Sequence, residues 1–261
     1  MTPRSYLFVP GNRPERFDKA LASDADTVIV DLEDAVPPDQ KDAARRTVSA
    51  WLAAARPVVV RINAADTPWH RDDLAVCRQP GVSAVMVAKA ERADALAALD
   101  LGVPLLPLIE SAAGIDQLRA IAAVPGVQRV AFGAIDFQLD LHMRASFDEL
   151  VFFRSQIVLA SRLADLAAPI DSPSVAIDDL AEVEREAQAA RRLGFGAKLC
   201  IHPKQTDAVN RSFSPTDTEL AWARRVLALA ESSGGAAVAL DGRMIDKPVI
   251  LRAQATLREA R

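Results

Sequence analysis

Cysteine is scarce, with only Cys77 and Cys200 in 261 residues, far apart and each in apolar surroundings. A disulfide between them is the poorly supported alternative, and reduced thiols are expected. Basic charge is not in excess. A net charge of −4 and a pI near 5.5 leave no cationic field for nucleic acid or an anionic membrane, so neither is expected as a partner. Long apolar runs are missing too. None approaches the length of a membrane span, and the run inside MTPRSYLFVPGNRPERF is too short for a secretory signal. A cytoplasmic location is expected. No GxGxxG follows a strand-like run, which argues against a dinucleotide-binding sheet. His70 and His142 have no acid or histidine at metal-ligand spacing, and His202, before Pro203, reads as structural.

What the chain does have is apolar residues, half of the total, and a recurring unit. A short β-prone run is followed by a polar or acidic residue and then by an Ala-rich helical stretch. The runs are SYLFVP (5–10), TVIVDLED (27–34), PVVVRIN (57–63), AVMVAK (84–89), PLLPLIE (104–110), RVAFGAID (129–136), APIDS (168–172) and GAKLCIHP (196–203). Helix candidates lie between them at residues 15–23, 40–55, 90–99, 114–123, 150–167 and 178–193. Strands alternating with helices imply a parallel sheet with right-handed crossovers. Eight such units in about 200 residues is the count for a (β/α)₈ (TIM) barrel; an open doubly wound sheet is the alternative. The barrel is expected over residues 1–213. The pattern then changes. Residues 214–233 read as a helix, Gly234-Gly235 breaks it, Asp241-Gly242 between apolar flanks signals a type I′ hairpin, and residues 248–261 form a last helix. This extension, residues 214–261, is expected to act as a lid or a subunit contact.

In a barrel, chemistry sits where strands end. The strand-end residues are Pro10-Gly11, Glu33/Asp34, Arg61/Asn63, Lys89, Glu110, Asp136, Asp171 and His202. Glu110 and Asp136 end consecutive apolar runs. Two hard carboxylates on one rim suit Mg²⁺, which keeps waters and leaves positions for a substrate; helix-capping acids are the plain alternative. Arg61 follows four apolar residues and is costly to bury unpaired. It reads as a carboxylate or carbonyl clamp, against a buried ion pair with Glu33 or Asp34. Lys89 reads as a rim cation rather than a Schiff-base lysine.

Several stretches together carry a family resemblance: RSYLFVPGNRPERFDKA (4–20), DTVIVDLEDAVPPDQKDAAR (26–45), VVVRINA (58–64), LIESAAG (108–114), AFGAIDF (131–137), LGFGAKLCIHPKQ (193–205) and DGRMIDKPV (241–249). In order and over almost the whole chain, they resemble the citrate lyase β-subunit branch of the HpcH/HpaI aldolase superfamily. The resemblance implies a (β/α)₈ barrel assembled as a trimer or hexamer. It implies a carbon–carbon lyase dependent on Mg²⁺, or on Mn²⁺ in its place, that acts on a 2-hydroxyacid CoA thioester of the citryl, malyl or citramalyl type. By position it makes Glu110 and Asp136 metal ligands and Arg61 the residue holding the keto acid, with Gly133 and Ala134 beside it. Asp246 becomes an acid/base carboxylate presented by a neighbouring subunit, and Arg13, Arg16 and Lys19 become contacts for CoA phosphates. Two positions depart from the family pattern. Ile135 stands where an acid is common before the metal-binding Asp, and His142 where a glycine is common. Both would alter the rim beside the metal. A class II aldolase releasing pyruvate from a free 4-hydroxy-2-oxoacid, and a barrel that only binds an acyl-CoA or a partner protein, remain the alternatives.

Overall fold

The eight β-prone runs become eight parallel strands: β1 (Ser5–Pro10), β2 (Thr27–Asp31), β3 (Val58–Ile62), β4 (Val82–Val87), β5 (Leu105–Ile109), β6 (Ala131–Phe132), β7 (Ile170–Asp171) and β8 (Ala197–Cys200). They pair in chain order, and β8 returns to β1, so the barrel is closed. The computed structural model describes residues 2–52, 57–232 and 238–260. Strands buried on both faces read as continuous apolar runs, because one face fills the barrel and the other meets helices. The interior holds Tyr6, Ile29, Val59, Met86, Leu106, Leu108, Ala131, Ile170, Ala197 and Leu199. Arg129 closes the N-terminal end: its buried guanidinium donates to the carbonyl of Pro3 at 2.8 Å and to that of Ala168.

The helices between strands are α1 (Phe17–Leu21), α2 (Lys41–Leu52), α3 (His70–Cys77), α4 (Ala93–Ala97), α5 (Ala112–Asp116), α6 (Leu118–Ala122), α7 (Ala134–Asp140), α8 (Val151–Leu163), α9 (Leu180–Leu193) and α10 (Lys204–Ser212). The Asp179 side chain caps α9 by accepting from the N–H of Glu182, and Gly194 ends it at φ 107°. The helix expected over 114–123 divides at Gln117 into α5 and α6. Of the helix expected over 40–55, residues 53–55 lie outside the described residues. Helices α3, α7 and α10 were not among those expected. The second has a clear cause: the run 129–136 was read as a strand ending in Asp136, whereas β6 stops at Phe132 and the chain turns at Gly133 into α7.

By its internal contacts the chain separates into two compact units, Met1–Asn210 and Arg211–Arg261. The second contains α11 (Asp217–Ser232), an antiparallel hairpin of β9 (Val238–Leu240) and β10 (Arg243–Ile245), and α12 (Lys247–Glu259). Asp241 and Gly242 have φ of 53° and 74°, the left-handed pair that a type I′ turn demands. Ala223, Val226, Ile245 and Ala253 form this unit's own core. The expected break at Gly234-Gly235 lies outside the described residues.

Candidate active site

Side chains alternate along a strand, so a residue two positions beyond an interior one also points inward. Continuing six strands by two residues takes Ile29 to Asp31, Val59 to Arg61, Leu108 to Glu110, Ala131 to Gly133, Ile170 to Ser172 and Leu199 to Ile201. All six end residues line one cavity of about 780 Å³ at the C-terminal end of the barrel, and Asp34 and Asp136 join them on its wall.

Glu110 is 3% exposed and held from two sides. The backbone N–H of Lys89 donates to its Oε1 at 2.7 Å. Lys89 itself adopts φ 45°, an unfavourable conformation for a residue with a side chain. On the other side lies Gly133, where an added Cβ would stand 2.6 Å from Oε2 of Glu110. Only a glycine leaves this carboxylate its place. Asp136 reaches the same wall from the first turn of α7. The start of α7 is tied to the end of β7, because the Ala134 N–H donates to Oγ of Ser172 at 3.0 Å.

Arg61 does have a buried ion-pair partner, but the main one is neither of those expected. Asp31 takes its Nε at 2.7 Å and its Nη2 at 2.6 Å, while Oε2 of Glu33 lies 3.0 Å from Nη1. Lys89 Nζ stands 3.5 Å from Oε1 of Glu33. Burial works against the Lys89 ammonium, but Glu33, Asp34, Glu110 and Asp136 outweigh it and raise its pKa. A lysine held protonated is a poor nucleophile, in keeping with its reading as a rim cation.

The charges here do not balance. Asp31, Glu33, Asp34, Glu110 and Asp136 are five carboxylates, against Arg61, Lys89 and the buried Lys41, which acts on the first three, so acids outnumber cations by two. Burial, then the nearby Glu33, pushes Glu110 up to about 8. Burial also raises Glu33 to about 7, reinforced by Asp34 and Asp31 and opposed by Arg61. Asp136 is raised by burial and by Asp34. Crowded acids with too few cations beside them suit a divalent ion, which favours their charged forms, so the donors present fit such an ion. Among the described residues no group of three His, Cys, Asp or Glu side chains is arranged to hold a metal. The chain would therefore supply two carboxylates and leave the other positions to water and substrate, as Mg²⁺ commonly requires.

The remaining candidates divide. Gly133 lines the cavity, whereas Ala134 is buried behind the wall and its amide is engaged by Ser172. Arg16 and Lys19 are exposed at the cavity mouth, while Arg13, also exposed, is not among the lining residues. His202 lines the mouth, and its Nδ1 accepts from the N–H of Lys204 at 3.2 Å. Ile135 is on the wall, but His142 is not. His142 instead ends α7 at φ 55°, the left-handed position where glycine is the usual residue. Asp171, expected on the rim, faces away from it: it lies one residue out of the interior phase and pairs with Arg154 and Lys198 behind the sheet. Asp246 belongs to the second unit, where its side chain caps α12 by accepting from the N–H of Val249. Two polar wall residues were missed, Asp31 and Ser172. The signal for both was strand phase, which separates inward from outward residues without any structure.

Comparisons with known proteins follow the same lines. The family model described as HpcH/HpaI aldolase/citrate lyase matches residues 4–203. A citrate lyase subunit beta-like protein of Deinococcus radiodurans is 37% identical over 97% of this chain and 96% of its own. A (3S)-malyl-CoA thioesterase of Cereibacter sphaeroides is 34% identical over 98% of this chain and 94% of its own. Among solved structures, CitE of Mycobacterium tuberculosis in complex with magnesium, acetoacetate and coenzyme A has a TM-score of 0.88 and 36% identity, covering 99% of this chain and 98% of that one. A barrel of this topology, matched by sequence and by structure along nearly its whole length, belongs to the HpcH/HpaI aldolase/citrate lyase family.

Proposed function

We propose that this protein is a Mg²⁺-dependent carbon–carbon lyase that cleaves a 2-hydroxyacid CoA thioester, of the citryl, malyl or citramalyl type, into a keto acid and an acyl-CoA. The observation that carries the reading is the pair Glu110 and Asp136 beside the Arg61 guanidinium, on a cavity wall where both acids are raised by burial and by neighbouring carboxylates. Glu110 and Asp136 would hold the ion, with Mn²⁺ as an alternative; when bound, it supplies Lewis-acid stabilisation for the substrate's hydroxyl oxygen. Arg61 binds and orients the carboxylate of the acid. In the cleavage direction the hydroxyl gives up its proton to water and its oxygen becomes the carbonyl of the keto acid. The bond to the α-carbon of the thioester breaks, and its electrons pass into the thioester enolate. Asp246, from a neighbouring subunit of a trimer or hexamer, delivers a proton to that carbon. Arg16 and Lys19 at the mouth, with Arg13 beyond it, suit the phosphates of CoA. A cytoplasmic location agrees with this chemistry.

The likeness to a malyl-CoA thioesterase favours one second reading, hydrolysis of the thioester itself. A single assay separates the possibilities. Citramalyl-, malyl- and citryl-CoA and a free 4-hydroxy-2-oxoacid are each incubated with the protein, with Mg²⁺ and with chelator. Metal-dependent appearance of a keto acid without free thiol is the expected result. Free thiol without a keto acid supports the thioesterase. Cleavage of the free acid alone supports a pyruvate aldolase, and no cleavage of any of the four counts against a lyase.

A further inference from the structure

The cavity wall contains one acid whose environment differs from that of its neighbours. Asp31 is fully buried, and its two oxygens meet four donors. Oδ1 accepts from Arg61 Nε at 2.7 Å and from the Glu33 N–H at 2.8 Å; Oδ2 accepts from Arg61 Nη2 at 2.6 Å and from the Ala35 N–H at 3.1 Å. Burial disfavours the charged form here, but the charge of Arg61 and these hydrogen bonds outweigh it and hold the carboxyl below its ordinary value. A carboxylate so engaged has little capacity left for a metal or a substrate. Whatever Asp31 does, it does through the groups it holds.

Chief among those is Arg61. A guanidinium carries five N–H donors in a rigid fork. Asp31 occupies the edge formed by Nε and Nη2. Glu33 lies 3.0 Å from Nη1, yet its Oε2 is a buried oxygen with no hydrogen-bond partner, so it sits beside the N–H rather than in line with it. The Phe8 ring, itself on the cavity wall, stands 4.7 Å from the guanidinium carbon. One edge is fixed and an aromatic ring packs against the group. The edge formed by Nη1 and Nη2 is left for a second bidentate partner. A freely turning Arg61 would have another choice, because Glu110 is near enough to act on its charge.

We propose that Asp31 is the positioning residue of the site: it holds Arg61 by the Nε/Nη2 edge, presents the Nη1/Nη2 edge to the carboxylate of a 2-oxo acid, and keeps the guanidinium off Glu110. This rests on the reading of the cavity as a keto-acid site. The same carboxylate holds the amides of Glu33 and Ala35, so one residue fixes both the clamp and the loop beside it.

Three measurements test it. In the wild type, exchange of the Arg61 Nε–H is followed by NMR, assigned by loss of its signal in Arg61→Lys. Exchange about 100-fold slower than in free arginine is expected for a buried, bonded N–H; a rate equal to that of free arginine overturns the proposal. Next, Arg61→Ala is titrated with millimolar guanidinium and probed with pyruvate in the presence of Mg²⁺. Saturable recovery of pyruvate binding is expected with Asp31 intact and absent in Arg61→Ala/Asp31→Asn, because asparagine cannot accept along both N–H directions. Equal recovery in the two, or none in either, overturns the proposal. Finally, Asp31→Asn alone is expected to raise KM about tenfold or more with a smaller change in kcat, the signature of lost ground-state and transition-state binding together. An unchanged KM overturns it. Should the asparagine variants not fold, the exchange rate and the rescue of Arg61→Ala still decide. Failure of the wild type to bind any 2-oxo acid overturns the keto-acid half, and the exchange rate then shows whether Asp31 fixes Arg61.

Discussion

One barrel contains two buried ionic clusters, and they are built on opposite principles. Behind β7 and β8, Asp171 accepts from Arg154 at 2.8 Å and from Lys198 at 2.9 Å, and Lys198 also meets Glu186 at 3.3 Å. Two acids face two cations. Burial opposes the Asp171 charge, but Lys198 and Arg154 overcome it and hold the carboxyl below its ordinary value. At the C-terminal rim, five acids face Arg61, Lys89 and Lys41, and Glu33, Glu110 and Asp136 are all raised. The first cluster is closed and neutral, as a structural device between sheet and helix should be. The second is left short of positive charge in a place open to a cavity. An incomplete charge balance, more than the presence of charge, marks the site.

The largest separation of the two clusters is expected from Glu110→Gln. Removing a ligand should lower metal-dependent turnover by about a thousandfold or more and abolish Mn²⁺ binding measured by EPR, while the barrel remains folded by circular dichroism. Lys198→Met should do the reverse. It leaves part of a buried pair unmatched, so urea denaturation should show a loss of about 3–5 kcal/mol with Mn²⁺ affinity unchanged. Lost metal binding in this variant would break the distinction between the clusters.

The pH responses should also run in opposite directions. Glu110 in the metal-free protein keeps its proton up to about 8, whereas an unfolded glutamate releases it near 4.5. Between those values the folded state binds more protons, so this group's contribution to stability falls as pH rises. In chelator, Glu110→Gln should match the wild type below pH ~4.5 and exceed it above pH 8 by at least about 1.4 kcal/mol, the equivalent of one pKa unit. For the depressed Asp171 the contribution is present above 3.8 and lost as the pH falls through its lower folded value. Metal affinity measured calorimetrically should rise about tenfold per pH unit up to about 8, because the ion must displace the Glu110 proton. The smallest effect belongs to neither cluster. Gly242→Ala, at φ 74°, should cost the hairpin unit about 1 kcal/mol and leave metal binding untouched.

Much of this was legible in the sequence, and the misses share one cause. Glu110 was found because an acid ending LLPLI is conspicuous, and Asp136 because it follows the next apolar run. Asp31 was missed because it sits inside TVIVDLED, where Glu33 and Asp34 are the acids farther along the run. Asp171 was placed on the rim because only its position at a strand end was weighed. Phase along the strand sorts all three: Asp31 continues from Ile29 into the barrel, and Asp171 steps out from Ile170. Arg61 was rightly singled out as a buried cation, but its main partner was misassigned, since the register that sets Asp31 beside Arg61 is not written in either strand alone.

By itself, the sequence determined the repeating strand–helix order, the count of eight, the Asp241-Gly242 turn and the presence of Glu110 and Asp136 where apolar runs end. These are properties of neighbours along the chain, where apolar runs, breakers and left-handed positions act locally. Tertiary structure alone decided which charges meet, which are raised or depressed, and that Gly133 clears the space for Glu110. Those outcomes depend on burial and on distances across the barrel between residues far apart in sequence. Asp31 and Arg61, 30 residues apart, are brought within 2.6 Å only when β2 and β3 pair in register.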